Sequence, residues 1–167
     1  MQRLPPPDWN AQLDAATNAR SKLPGLVSAY FRAGRQFLAM RPSPAQLHEL
    51  RLGTKRLRYT LELFRRCYGP ALDRYMTDLQ VLQQALGELN DCVASRNLLA
   101  REMPASPQRD KVERFLQGEE TRRARQFLGL WTDRFDAPGR EAAWVRYLAA
   151  PGRGNGPKAS STGSAKR

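Results

Sequence analysis

The 167-residue chain carries 28 Lys and Arg against 16 Asp and Glu, a formal net charge of +12. Its length fits one domain, and a hydrophobic content of 41% allows a buried core and argues against global disorder. No stretch approaches the ~20 apolar residues of a membrane span, and the opening MQRLPPPDWN has no signal-peptide pattern.

Cys67 and Cys92 stand alone and far apart. This excludes a disulfide framework and a cysteine-based zinc site, and it fits a reduced, cytoplasmic setting. The charge surplus favours polyanion partners: nucleic acid, anionic lipid or a phosphate polymer. Solubility alone is the plainer explanation.

In chain order, residues 1–8 carry three consecutive prolines and read as a flexible N-terminus. A helical domain is expected over 9–149. Leu26, Tyr30, Ala33 and Phe37 recur at helical spacing, with Pro24 and Gly25 read as the start and a looser helix before them over 9–21. Ser43, Pro44 and Gln46 form a capping-box pattern for a second helix running to Tyr68, where Gly69-Pro70 stops it.

A third helix is predicted from Ala71 to Arg101 on a seam of Leu72, Tyr75, Leu79, Leu82, Leu86, Leu89 and Val93. Gly87 inside it implies a close approach by a neighbour. Ser106 caps a fourth helix to Phe135, with Val112, Phe115, Leu116, Phe127, Leu130 and Trp131 as its apolar residues, and a short segment covers 139–149. No strand pattern appears. The expected fold is all-α, an antiparallel four-helix bundle. Residues 150–167 read as a disordered basic C-terminal tail.

The second helix carries the functional signal. On a wheel at 100° per residue, His48, Arg51, Lys55 and Arg58 fall within an arc about 80° wide, and Leu50, Leu57, Leu61 and Phe64 face the other way. Arg65 and Arg66 extend the stripe, and Glu62 interrupts it. Like charges at such spacing repel unless an anion neutralises them. Guanidinium forks, a mobile ammonium and a ring N–H suit a row of phosphates. A solvated basic face is the competing explanation. Arg56 lies off this arc, and Leu52, Tyr59 and Leu63 form an apolar strip beside it, read either as bundle packing or as a dimer seam.

Arg32, Arg35 and Arg123 are secondary candidates. Glu119 and Glu120 beside Arg122, Arg123 and Arg125 point to a salt-bridged surface. His48 is the only histidine and has no positioned nucleophile, so neither catalysis nor a metal site is expected. Asp91 is expected to bond an arginine or a helix terminus.

LHELRLGTKRLRYTLELF at 47–64, followed by LQVLQQALGELNDCVASRNLL at 79–99, resembles the CHAD family, the conserved histidine α-helical domain. His48 and Arg51 match its opening, Lys55 and Arg56 its basic doublet, and Arg58 its final arginine. Leu82, Gln83, Leu86, Gly87 and Asp91 match the element on the next helix. The resemblance covers roughly residues 20–135.

It implies helical bundles, a basic groove that binds inorganic polyphosphate, and association of some members with polyphosphate granules. It implies no catalysis and no cofactor. His48, Arg51, Lys55, Arg56 and Arg58 become the expected polyphosphate contacts. A full family domain holds two such bundles, and only one is legible here, similar to the second copy. A homodimer would restore the pair. Non-specific nucleic-acid binding, or a scaffold role beside a polyphosphate-metabolising enzyme, are the alternatives.

Overall fold

The computed structural model describes residues 7–150. The expected flexible N-terminus lies outside these residues except for Pro7 and Asp8, and the expected basic tail lies outside them except for Ala150. Among the described residues every regular element is helical. The helices are α1 (Ala15–Ala39), α2 (Leu47–Leu63), α3 (Arg65–Tyr68), α4 (Leu72–Glu102), α5 (Pro107–Gly129) and α6 (Arg140–Ala149). A π turn over Leu130–Phe135 joins the last two. Helix α4 packs between α2 and α5, and α1 packs against α2 and α6.

The start of α1 corrects the reading of Pro24-Gly25. The helix begins at Ala15, and the Asp14 carboxylate accepts from the backbone N–H of Thr17 at 2.9 Å. This side-chain cap satisfies a donor that a helix start leaves open. It also holds the Asp14 carboxyl below its ordinary range. Pro24 sits inside the helix, where it removes one backbone donor. Leu23 and Val27 beside it are fully buried, and their packing offsets the loss. The segment before Asp14 is not helical. It is tied down by Asn18, whose side chain bonds the backbone of Asn10 in both directions.

The capping box forms as the sequence predicts. The Ser43 N–H donates to Gln46 Oε1 at 2.8 Å, and the Gln46 N–H donates to Ser43 Oγ at 3.4 Å. The first turn is tight, with bonds reaching three residues back, and regular helix starts at Leu47. The expected run to Tyr68 breaks at Phe64, where Trp9 packs on the Phe64 ring at 4.9 Å between centroids. Gly69 has φ 71° and ψ −172°, a backbone open essentially to glycine alone, so it ends α3 as expected.

The α4 seam is buried along its whole length, from Leu72 to Val93. Opposite it, Tyr30, Phe31, Phe127, Trp131, Phe135 and Trp144 form one aromatic core, with Phe31 stacked on Phe135 at 4.6 Å. The fourth predicted helix reaches residue 129 and then widens. The Asp136 N–H bonds the Trp131 carbonyl five residues back, and Trp131 and Phe135 both enter the core.

Val112 and Phe115 do not join the core. Phe115 is 66% exposed and Val112 is 43% exposed. Leu116, in the same half of α5, is half-buried.

Candidate functional site

Helix α2 is fixed in rotation before its basic face is considered. Leu50, Leu57 and Leu61 are buried, as the wheel predicts; Phe64 is half-buried, and Leu47 is buried as well. Thr54, also fully buried, donates to the Leu50 carbonyl at 2.8 Å. Its hydroxyl proton is thereby used, so Tyr30 on α1 donates to Thr54 Oγ1 at 2.6 Å. Burial holds the Tyr30 phenol far above its ordinary pKa, which keeps this donor in place. Core packing and one buried hydrogen bond thus set which way the cations of α2 face.

Arg51 and Arg58 face a polar strip on α4. A groove between the two helices is lined by Arg51 and Arg58 on one wall and by Gln80, Gln83, Gln84, Gly87 and two acids, Glu88 and Asp91, on the other, whereas Lys55 does not line it. The Arg58 Nε–H donates to Gln83 Oε1 at 2.8 Å, and Arg58 also pairs with Glu62 at 3.2 Å. Arg51 lies over Gly87: a Cβ there would stand 3.8 Å from Arg51 Nε. That is ordinary van der Waals distance, so a guanidinium lies beside the interior glycine, but the contact does not by itself require one.

Arg51 Nε is sheltered and has no hydrogen-bond partner. Among the described residues no carboxylate stands within ion-pair distance of Arg51, Lys55 or Arg56. The row is largely un-neutralised.

One residue at the site had no role in the sequence reading, and another takes a role beyond the apolar strip assigned to it. Asn90, three positions after Gly87, places its Oδ1 2.8 Å from His48 Nδ1. As the acceptor it holds the His48 proton on Nδ1, and Nε2 donates only when the ring is protonated. The simple ring N–H donor expected of His48 is thus turned toward α4. Tyr59 carries Arg58 over its ring at 4.4 Å and Lys55 at 5.7 Å. It steadies both cations by cation–π attraction. Only its place beside the basic arc hinted at this.

The remaining candidates lie elsewhere. Arg56 is exposed and does not line the groove. Arg35 is held by Asp136 at 2.5 Å and Glu141 at 2.7 Å, with its pKa raised chiefly by the Asp136 hydrogen bond. Arg65 pairs with Asp73, and Arg123 with Glu88 and Glu119. Arg32 on α1 and Arg66 on α3 are exposed and away from the groove. Asp91 is exposed at the groove wall and bonds no arginine among the described residues. Arg122 pairs with Glu119, and Arg96 with the buried Glu120, so this surface is salt-bridged as expected.

The model of the CHAD domain matches residues 2–100, more than half of the chain. The chain belongs to the CHAD family. No curated protein and no solved structure matches it. The CHAD match takes in α1, α2, α3 and most of α4, and so contains every residue of the groove. It begins earlier than the stretch that resembles the family by eye and stops short of α5, so the Phe115–Phe135 portion of that resemblance falls outside it. CHAD domains are associated in general with polyphosphate binding. Among the described residues no helix is long and apolar enough to cross a membrane.

Proposed function

We propose that this CHAD protein binds inorganic polyphosphate without catalysis, in the groove between α2 and α4. The observation that carries the proposal is the row of Arg51, Lys55 and Arg58, in which only Arg58 meets a carboxylate. Arg51 and Arg58 would donate to phosphate oxygens from the groove wall, with Lys55 between them on the same helix face. His48 would add a donor when protonated, and Arg56 would reach the polymer from the rim. The helices then act as one half of a CHAD-type bundle pair, in a cytoplasmic protein that associates with polyphosphate granules.

The exposed strip of Tyr59 and Leu63, 46% and 81% exposed, with Leu52 beside it, is where a second copy would complete the groove.

Two measurements test this. Long-chain polyphosphate and duplex DNA compete for the protein at fixed salt. Polyphosphate is expected to win, and Arg51→Ala to weaken it about tenfold, the loss of one charge-assisted hydrogen bond. Equal affinity for DNA would favour the nucleic-acid reading. Light scattering with polyphosphate present is expected to report a dimer. A monomer that still binds tightly removes the paired arrangement.

A further inference from the structure

Helix α5 carries a second cationic face, outside the CHAD match. Arg114, Gln117, Gly118, Thr121 and Arg125 line a shallow depression on its solvent side, together with Arg122 and Gln126. From Arg114 to Arg125 the row rises about 16 Å at 1.5 Å per residue. Arg114 and Arg125 meet no carboxylate among the described residues, whereas Arg122 and Arg123 on the same helix do. No aromatic side chain lines the depression, so it offers no platform for a base.

Gly118 sits at the middle of this face, exposed, with nothing within 4 Å of where a Cβ would be. A glycine inside a helix costs roughly 1 kcal/mol against alanine. At Gly87 the Arg51 guanidinium lies alongside, at van der Waals distance from where a Cβ would stand. At Gly118 no neighbour among the described residues comes within 4 Å to account for the cost. A bare patch of helix backbone flanked by arginine and amide donors admits a ligand closely.

The depression is also linked to the α2–α4 groove through shared wall residues. That groove shares Gln84 and Glu88 with a second depression between α4 and α5. The second shares Gln126 with the α5 face. Between them Glu88 is neutralised by Arg123 at 2.5 Å. We infer that the α5 face is a second binding stretch for the same phosphate polymer, which leaves the α2–α4 groove across Gln84 and continues over Gly118. The inference rests on the polyphosphate reading of the first groove and adds a dependence on chain length.

Tripolyphosphate and long-chain polyphosphate, each titrated into the full chain, separate the two stretches. The double variant Arg114→Ala/Arg125→Ala is expected to weaken long-chain binding on the order of tenfold and to leave tripolyphosphate affinity unchanged. Gly118→Leu fills the depression without altering charge. It is expected to weaken long-chain binding several-fold with no loss in melting temperature, since leucine is a good helix former.

Long-chain affinity unchanged in both variants, while Arg51→Ala still weakens both ligands, would overturn the second stretch and leave the first standing. Arg51→Ala without effect on either ligand would remove both. Loss of duplex DNA binding in the double variant, with polyphosphate binding retained, would assign the α5 face to nucleic acid and overturn the proposal.

Discussion

Gly34→Ala is expected to destabilise the protein by about 2 kcal/mol or more, whereas Gly25→Ala on the same helix is expected to stabilise it by about 0.5–1 kcal/mol. At Gly34 a Cβ would stand 2.3 Å from Trp131 Cη2 and 2.6 Å from Cζ2. The indole is 2% exposed and is packed against Tyr30, Phe127 and Phe135, so it has nowhere to retreat. Adding a methyl there forces α1 away from the π turn. The roughly 1 kcal/mol that alanine contributes through helix propensity is too small to compensate.

Gly25 is exposed with nothing within 4 Å of an added Cβ, so only the propensity gain remains. Thermal unfolding of the two variants reads the difference directly, at roughly 2–4 °C per kcal/mol for a chain of this size. Equal shifts in the two variants would show that Trp131 does not lock α1. The lock matters for the site because Tyr30, on the same helix, holds the rotation of α2 through Thr54.

The contrast between those two glycines also shows what a single sequence conveys. Spacing alone identified the α4 seam, because leucines three and four apart leave one face for burial. It identified the α2 face for the same reason, and capping chemistry fixed the turn at Ser43. Pro24 was misread because the local rule for proline takes no account of the buried Leu23 and Val27 on either side. Phe115, named only as apolar, is exposed, because periodicity shows that a face is apolar, not that another helix covers it.

The cations divide along the same line. Arg51, Lys55 and Arg58 stood out because Glu62 alone interrupts their face of the helix. Arg35 could not be set aside from sequence, since the acid that occupies it, Asp136, lies 101 residues away. Asn90 gave no signal at all: its role comes from α4 lying beside α2, a tertiary fact. The basic groove is accordingly smaller in the structure than the stripe on the wheel. Arg65 is committed to Asp73, and Arg66 belongs to α3, beyond the break at Phe64.

Gln83→Glu turns that division into a test of the groove itself. Gln83 accepts from Arg58 Nε, and its side chain is nearly isosteric with glutamate, so the packing of α2 on α4 is preserved. The new carboxylate would form an ion pair with a guanidinium that is already 15% exposed and close to Glu62. Folding stability is expected to hold or rise slightly, since a charged acceptor strengthens the existing hydrogen bond.

Binding is expected to move the other way. Arg58 is withdrawn from the ligand, and a fixed negative charge is set beside Arg51, where it repels a phosphate chain. Together these should lower affinity for long-chain polyphosphate on the order of a hundredfold at low salt, more than removal of one arginine alone, with the gap to the parent narrowing as salt screens the added charge. Isothermal titration across a salt series, beside a denaturant melt, measures both quantities. Retained affinity in a folded Gln83→Glu variant would mean that phosphate does not lie between α2 and α4, and the cationic row would revert to a solvated helix face.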